Sequence, residues 1–554
     1  MNYQVGAFKR FIFSGILFGL IIGFFGLSQT SWGFYFDDFG FILHSKLESF
    51  VDLKRIFLIR DIKLTYYPPN LEIGPSDALS ALYRPMQYIF FGLQRWAFGL
   101  EPLWYYQFTV ALHALNAVLI FNILCSFLAV WAAWWASLFF AFHYSLARWF
   151  GIFFNQIYVI DLFFLLVISL LLWQFLRSQR VIYYFFSCLL FLVQLLVKET
   201  LIVFPAWAFV AVYFYAAYEK KKYWDYEAFK KAFLNALGYG LCAIMYMLIR
   251  FYVLPAPAFS PASVDVGRLL VVVKERVFMY VTYLCDVTAI SLVPGNNRVL
   301  KGILLAGISF LLFYPFWMRK QKMFGLFLVF STLLFTWPSL IVFHQFCYLY
   351  AGLPFFCCLI AYSLDFFERR PRVRFFINCV LTVVVVLCAV RFTRYHKAKR
   401  EGLASITRQL QVLSTHASIK NRKVCFVGLP LQRFCSGTAQ ALELYAGQPI
   451  DVCYDARDFL MAYDANRLVE FSPVLGNVEV VLEQGMISIK VLDGPYFFKE
   501  LGACGCFGTF TVHAVNSDGF PVEVSITLDQ ELLAQNPLFI TWDYQKNQLR
   551  MLNS

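Results

Sequence analysis

"FIFSGILFGLIIGFFGL", residues 11–27, is an apolar run long enough to cross a membrane. It is uncharged and follows Lys9 and Arg10. Such a run is either a secretory signal or a first membrane helix. It has no clear small-x-small cleavage site, and further runs of spanning length recur along the chain, so it reads as a retained first helix. Composition agrees: 60% of the 554 residues are hydrophobic, 15% are charged, and Phe alone occupies 64 positions. No soluble domain carries that load. The expected fold class is an α-helical polytopic membrane protein.

The net charge of +13 invites a nucleic-acid partner, but its distribution argues against one. From His396 to the end there are 14 Lys and Arg against 16 Asp and Glu, so the excess belongs to the apolar part. There it flanks the spans, as a topology signal should. The basic clusters are Lys9/Arg10, Arg177/Arg180, Lys220–Lys222 with Lys230/Lys231, Arg319/Lys320/Lys322 and Arg369/Arg370/Arg372/Arg374. Placing all of them in the cytoplasm gives eleven spans, near 9–28, 104–126, 127–146, 157–176, 181–197, 200–217, 232–253, 300–317, 324–343, 348–364 and 375–391. The N-terminus is then inside and the C-terminal region outside. The apolar segment 277–294 would break the parity and contains Asp286, so it reads as interfacial or re-entrant.

This parity puts five polar constellations on the outer face. "SWGFYFDDFGF" (31–41) sets Asp37 and Asp38 in an aromatic collar. Alone, the pair is open between a solvated interfacial loop and a site. Adjacent carboxylates can also hold a divalent cation, although few other acids accompany these. A long outer loop, 29–103, carries "YRP" (83–85), where Arg84 before a proline can extend its guanidinium as a phosphate fork. His113 and Asn116 share a helix face and read first as hydrogen bonds between helices. His143 and Arg148 close the third span, and Asp161 lies inside the fourth, where an acid faces protein or a cavity rather than lipid. "KET" (198–200) sets Lys198 and Glu199 between two apolar helices, either as a snorkelling pair or as a cation at headgroup depth. "HQFCYLY" (344–350) brings His344 and Tyr348 to the tenth span.

In this order the segments resemble the multi-spanning type C glycosyltransferases, particularly the protein O-mannosyltransferase-like branch and its bacterial relatives. The resemblance covers about residues 9–392. It implies transfer of a sugar from a polyprenyl-phosphate donor to an acceptor hydroxyl on a protein or glycolipid. Asp37 or Asp38 would be the general base. Arg84, Lys198 and Arg148 would face the donor phosphate, and His143, Glu199, His344 and Tyr348 would line the cleft. Tyr144, Cys347 and Asn155 stand where relatives usually carry Pro, Arg and Arg. The alternatives from other classes are a transporter or flippase for a lipid-linked glycan, and a non-catalytic assembly protein on the same scaffold.

Residues 393–554 read as an extracytoplasmic α+β domain. An amphipathic helix over 394–414 leads to strands near 423–428, 478–484, 486–492, 508–515, 521–527 and 537–543, with a helix at 436–447. Five of the 14 Cys lie here, and disulfides are allowed outside the cytoplasm. No Asn-x-Ser/Thr sequon occurs, which suits a bacterial inner membrane with this domain in the periplasm.

Overall fold

The computed structural model describes residues 7–27, 33–34, 37–58, 83–143, 153–220, 225–253, 312, 314–318, 322–341, 349–368, 370–415, 422–426, 438–447, 452–453, 460–462, 477–483, 486–493, 496–498, 508–515, 521–528, 530–534, 537–543 and 548–552. Two compact units result. One comprises Met1–Thr30, Leu82–Phe90 and Trp104–Arg394; the other comprises Ser31–Ala81, Phe91–Leu103 and Tyr395–Ser554.

The first unit is a helical bundle. Its helices are α1 (Ala7–Ile21), α5 (Pro102–Leu124), α6 (Val130–Ala141), α7 (Gln156–Ser178), α8 (Val181–Val197), α9 (Phe204–Lys220), α10 (Tyr226–Val253), α11 (Lys322–Ile341) and α12 (Leu349–Phe366). The first turn of α4 (Pro85–Phe98) and the apolar part of α13 (Pro371–Ser414) belong to it too. Among the described residues, seven helical stretches are long and apolar enough to cross a membrane, and Val130–Ala141, Val181–Val197 and Met323–Thr336 are shorter apolar helices. The protein is thus a multi-pass helical membrane protein. Most of the expected span at 300–317, and all of segment 277–294 with Asp286, lie outside the described residues.

Without water in the bilayer, backbone and polar groups must be satisfied inside the bundle. The end of α1 shows how. Its last turn widens into a π-turn, Ile22–Leu27, which releases carbonyl oxygens. Tyr106 Oη donates to the Phe25 carbonyl (3.2 Å), and Gln107 Nε2 donates to that of Gly26 (2.8 Å). At the start of α6, Asp365 Oδ1 accepts the Ala129 N–H (2.8 Å), so an acid from the end of α12 caps it. Gln179, at φ 57°, turns α7 directly into α8 in a two-residue hairpin.

Tight crossings need small residues. A Cβ on Gly352 of α12 would lie 2.5 Å from Thr336 Cγ2 and 2.7 Å from the Thr332 carbonyl oxygen of α11. Burial ranks the helices: 78% of the apolar window of α12 is buried, against 6% for Pro371–Val390. α12 is therefore the most buried of the described spans, and the apolar part of α13 leaves its surface for lipid.

In the second unit, α2 (Asp37–His44) and α3 (Phe50–Leu58) precede the rest of α4. Arg95 Nη1 donates to the Ile42 and Leu43 carbonyls (2.8 and 3.1 Å), capping the end of α2. Ser49 and Asp52 form a reciprocal N-terminal cap on α3. α2 packs on α14 (Thr438–Ala446), with Phe39 edge-on to Tyr445 at 6.1 Å.

The strands are β1 (Val424–Phe426), β2 (Val452–Cys453), β3 (Leu460–Ala462), β4 (Asn477–Glu483), β5 (Met486–Asp493), β6 (Tyr496–Phe498), β7 (Gly508–Val515), β8 (Pro521–Leu528), β9 (Leu538–Asp543) and β10 (Gln548–Met551). A mixed sheet has the order β10-β9-β1-β2, with β1 parallel to both neighbours. An antiparallel sheet has the order β4-β5-β8-β7, and β3 pairs with β6. In the antiparallel sheet Val480, Ile487, Ile489 and Leu528 are buried, while Lys490 stands opposite Glu479 and Glu523. Alternation and charge pairing set that register.

Candidate active site

Among the described residues, a dense group of polar side chains is built around the corner between α8 and α9. α8 ends at Val197, Lys198 is fully extended (φ −162°, ψ 130°), and Glu199–Val203 form a single 3-10 turn before α9. The break exposes the carbonyl of Lys198, which accepts from Gln194 Nε2 at 2.7 Å. The same amide nitrogen donates to Asp161 Oδ1 of α7, and Thr200 Oγ1 donates to Asp161 Oδ2 at 2.5 Å. Asp161 is thus held by one residue before the corner and one within it.

Glu199 faces another way. Arg84, directly before Pro85 at the start of α4, grips it with two parallel bonds. Nε lies 2.8 Å from Oε2, and Nη2 lies 2.5 Å from Oε1. The side chains retain 11% and 31% exposure, respectively. Two-pronged guanidinium–carboxylate pairs fix orientation as well as charge. The Lys198 ammonium sits over the Tyr158 ring, 4.1 Å from its centroid, and the residue is 1% exposed. It does not snorkel to water. Its charge also acts on both Asp161 and Glu199.

The entry to α4 is fixed from α10, where Tyr246 Oη donates to the Tyr83 carbonyl at 3.3 Å. Burial raises the Tyr88 phenol well above its usual range, against the opposing pull of Arg84, so it stays neutral. Two cations and two carboxylates therefore meet in a water-poor setting with charges that balance. Such a group can orient a polar ligand with strong hydrogen bonds at little reorganisation cost.

Of the residues singled out by sequence, Arg84, Lys198, Glu199 and Asp161 come together here. Gln194, Tyr158 and Tyr246 join them without having been anticipated. A lone amide four residues before Lys198 in an apolar helix was the available signal for Gln194. His143 is buried and packs edge-on against Phe139 at 5.1 Å. His113 and Asn116 do bridge helices: His113 Nδ1 meets Tyr350 Oη at 2.6 Å, and Asn116 Nδ2 donates to the Val159 carbonyl at 2.9 Å.

Asp37 and Asp38 open α2 in the second unit, where the helix N-terminus favours acids; Asp38 is 1% exposed. Arg148, His344 and Tyr348 lie outside the described residues. Among the described residues, no group of three or more His, Cys, Asp or Glu could hold a metal ion. No protein-family model matches the chain, and no curated protein matches it.

Proposed function

We propose that the protein is a membrane glycosyltransferase that moves a sugar from a polyprenyl-phosphate donor to an acceptor hydroxyl on the outer face, with inversion. The observation that carries this reading is the group of buried Lys198 and Asp161 with part-buried Arg84 and Glu199 among apolar helices. It supplies fixed charge and hydrogen bonds among helices that are long and apolar enough to cross a membrane. The order of motifs and the charge topology support the same reading. On it, eleven spans carry the chain, the N-terminus is cytoplasmic, and the C-terminal α+β region is periplasmic in a bacterial inner membrane.

The reaction balances without a cofactor. A carboxylate of Asp37 or Asp38 takes the proton of the acceptor hydroxyl. The oxygen attacks the anomeric carbon from the face opposite the leaving group, forming the new C–O bond. The bond from that carbon to the donor phosphate breaks, and polyprenyl phosphate departs with the electron pair. Arg84, Lys198 and Arg148 are assigned to the donor headgroup, and His143, Glu199, His344 and Tyr348 to the cleft. The acceptor is a protein or a glycolipid.

The test is transfer of radiolabelled sugar from polyprenyl phosphate by the purified protein, with native membrane extract as acceptor source. Asp37→Asn or Asp38→Asn is expected to cost roughly 10²–10⁴-fold, the contribution of a general base. Full activity in both variants removes the base assignment. Passage of labelled donor across vesicles without transfer makes the protein a lipid-linked-glycan transporter instead.

A further inference from the structure

Among the described residues, Gln87 and Gln194 are buried glutamines with amide atoms that find no hydrogen-bond partner. Gln194 spends Nε2 on Asp161 and on the Lys198 carbonyl, both of them acceptors. Its orientation is thereby fixed, and Oε1 is left buried without a donor. Gln87 follows Arg84 by three residues at the start of α4, and its N–H bonds to the Arg84 carbonyl (3.1 Å). It is 2% exposed, and among the described residues neither Nε2 nor Oε1 has a partner. Buried polar groups are satisfied in more than nine cases of ten, so each orphan calls for an explanation.

The chemistry of the surroundings selects the ligand. Arg84 is matched by Glu199, and Lys198 acts on both carboxylates, so the group as a whole carries no net charge. The charged side chains suit the donor phosphate, whereas uncharged amide atoms suit an uncharged part of the donor. Asp161 has two occupied acceptor positions of roughly four, Gln194 offers a bare carbonyl, and Gln87 offers both a donor and an acceptor. Hydroxyl groups, each able to donate and accept at once, complement that set.

We propose that Gln87 and Gln194 form the subsite that reads the hydroxyls of the donor sugar, next to the Arg84–Glu199 pair. This rests on the glycosyltransferase reading and adds the sugar to the α4 entry and the α8 corner, beside the phosphate assigned to Arg84 and Lys198. Gln87 is the cleaner probe because its side chain makes no hydrogen bond among the described residues.

The full-length protein in lipid nanodiscs is titrated with polyprenyl phosphate alone and with polyprenyl phosphate bearing glucose, galactose, mannose or N-acetylglucosamine. Gln87→Met is expected to weaken the best sugar-bearing lipid roughly tenfold, because a ligand hydroxyl loses its partner. Its affinity for bare polyprenyl phosphate and its melting temperature should match wild type. Deoxy analogues of that best sugar give a second readout. The analogue that binds wild type more weakly should bind Gln87→Met no more weakly than the parent sugar does.

Equal losses for bare and sugar-bearing lipid, no loss at all, or a fall in melting temperature would overturn the subsite while leaving the transferase reading standing. Failure of wild type to bind any of these lipids would overturn both.

Discussion

Arg84 illustrates what a single residue contributes and how far its sequence discloses it. "YRP" marks a guanidinium at an extended position, but nothing local says that its partner is 115 residues away at Glu199. "KET" suggests a Lys–Glu pair, whereas the break after α8 turns Glu199 to Arg84 and buries Lys198 over Tyr158. Which distant charges meet depends on helix packing, and that is not written in a short motif. Arg84→Ala leaves Glu199 without its partner in a part-buried site and is expected to cost about 2 kcal/mol, read as a lower melting temperature in detergent. Arg84→Lys keeps the charge but forfeits the fork, so it should recover only part of that loss. Asp161→Asn keeps the shape while exchanging one acceptor oxygen for an amide nitrogen, which then faces either the Gln194 amide or the Thr200 hydroxyl. Transfer activity should fall, and the melting temperature should drop by the cost of a lost charged hydrogen bond, about 1.5–3 kcal/mol.

At the scale of elements, contact between α11 and α12 depends on Gly352. Gly352→Leu must push Thr336 and the Thr332 backbone aside, with an expected loss of about 1–3 kcal/mol in thermal unfolding. Gly240 of α10 has nothing within 4 Å of its Cβ position, so Gly240→Ala should leave stability unchanged or slightly raised. Long apolar helices were legible because hydropathy and flanking cations act over many residues. The alternating strands were legible too: those expected at 478–484 and 486–492 are found at Asn477–Glu483 and Met486–Asp493. The two- and three-residue strands β2, β3 and β6 were not, since so few residues carry no period. α13 also differs from expectation. It runs unbroken from Pro371 to Ser414, because Phe392 and Thr393, which separate the expected span from the expected amphipathic helix, and the polar stretch "RYHKAKR" that opens the latter contain no Pro or Gly to stop a helix.

For the molecule as a whole, charge bias gives an orientation that an enzyme fusion can check. Alkaline phosphatase joined after Ser554 should be active if the proposed eleven spans hold, and a fluorescent protein at the same place should stay dark. The reverse pattern would move the C-terminal region, and with it the parity, to the cytoplasmic side. The deeper claim is that buried charge at the α8 corner serves sugar transfer. Its most direct measurement is release of polyprenyl phosphate from a radiolabelled polyprenyl-phosphate sugar by the purified protein, compared with Lys198→Met. Wild type should release the lipid well above protein-free vesicles. Lys198→Met should fall by roughly 10²-fold or more, the scale of losing one preorganised charge at a departing oxygen. Equal release by both proteins, or none above background from wild type with donor and acceptor present, would contradict the account.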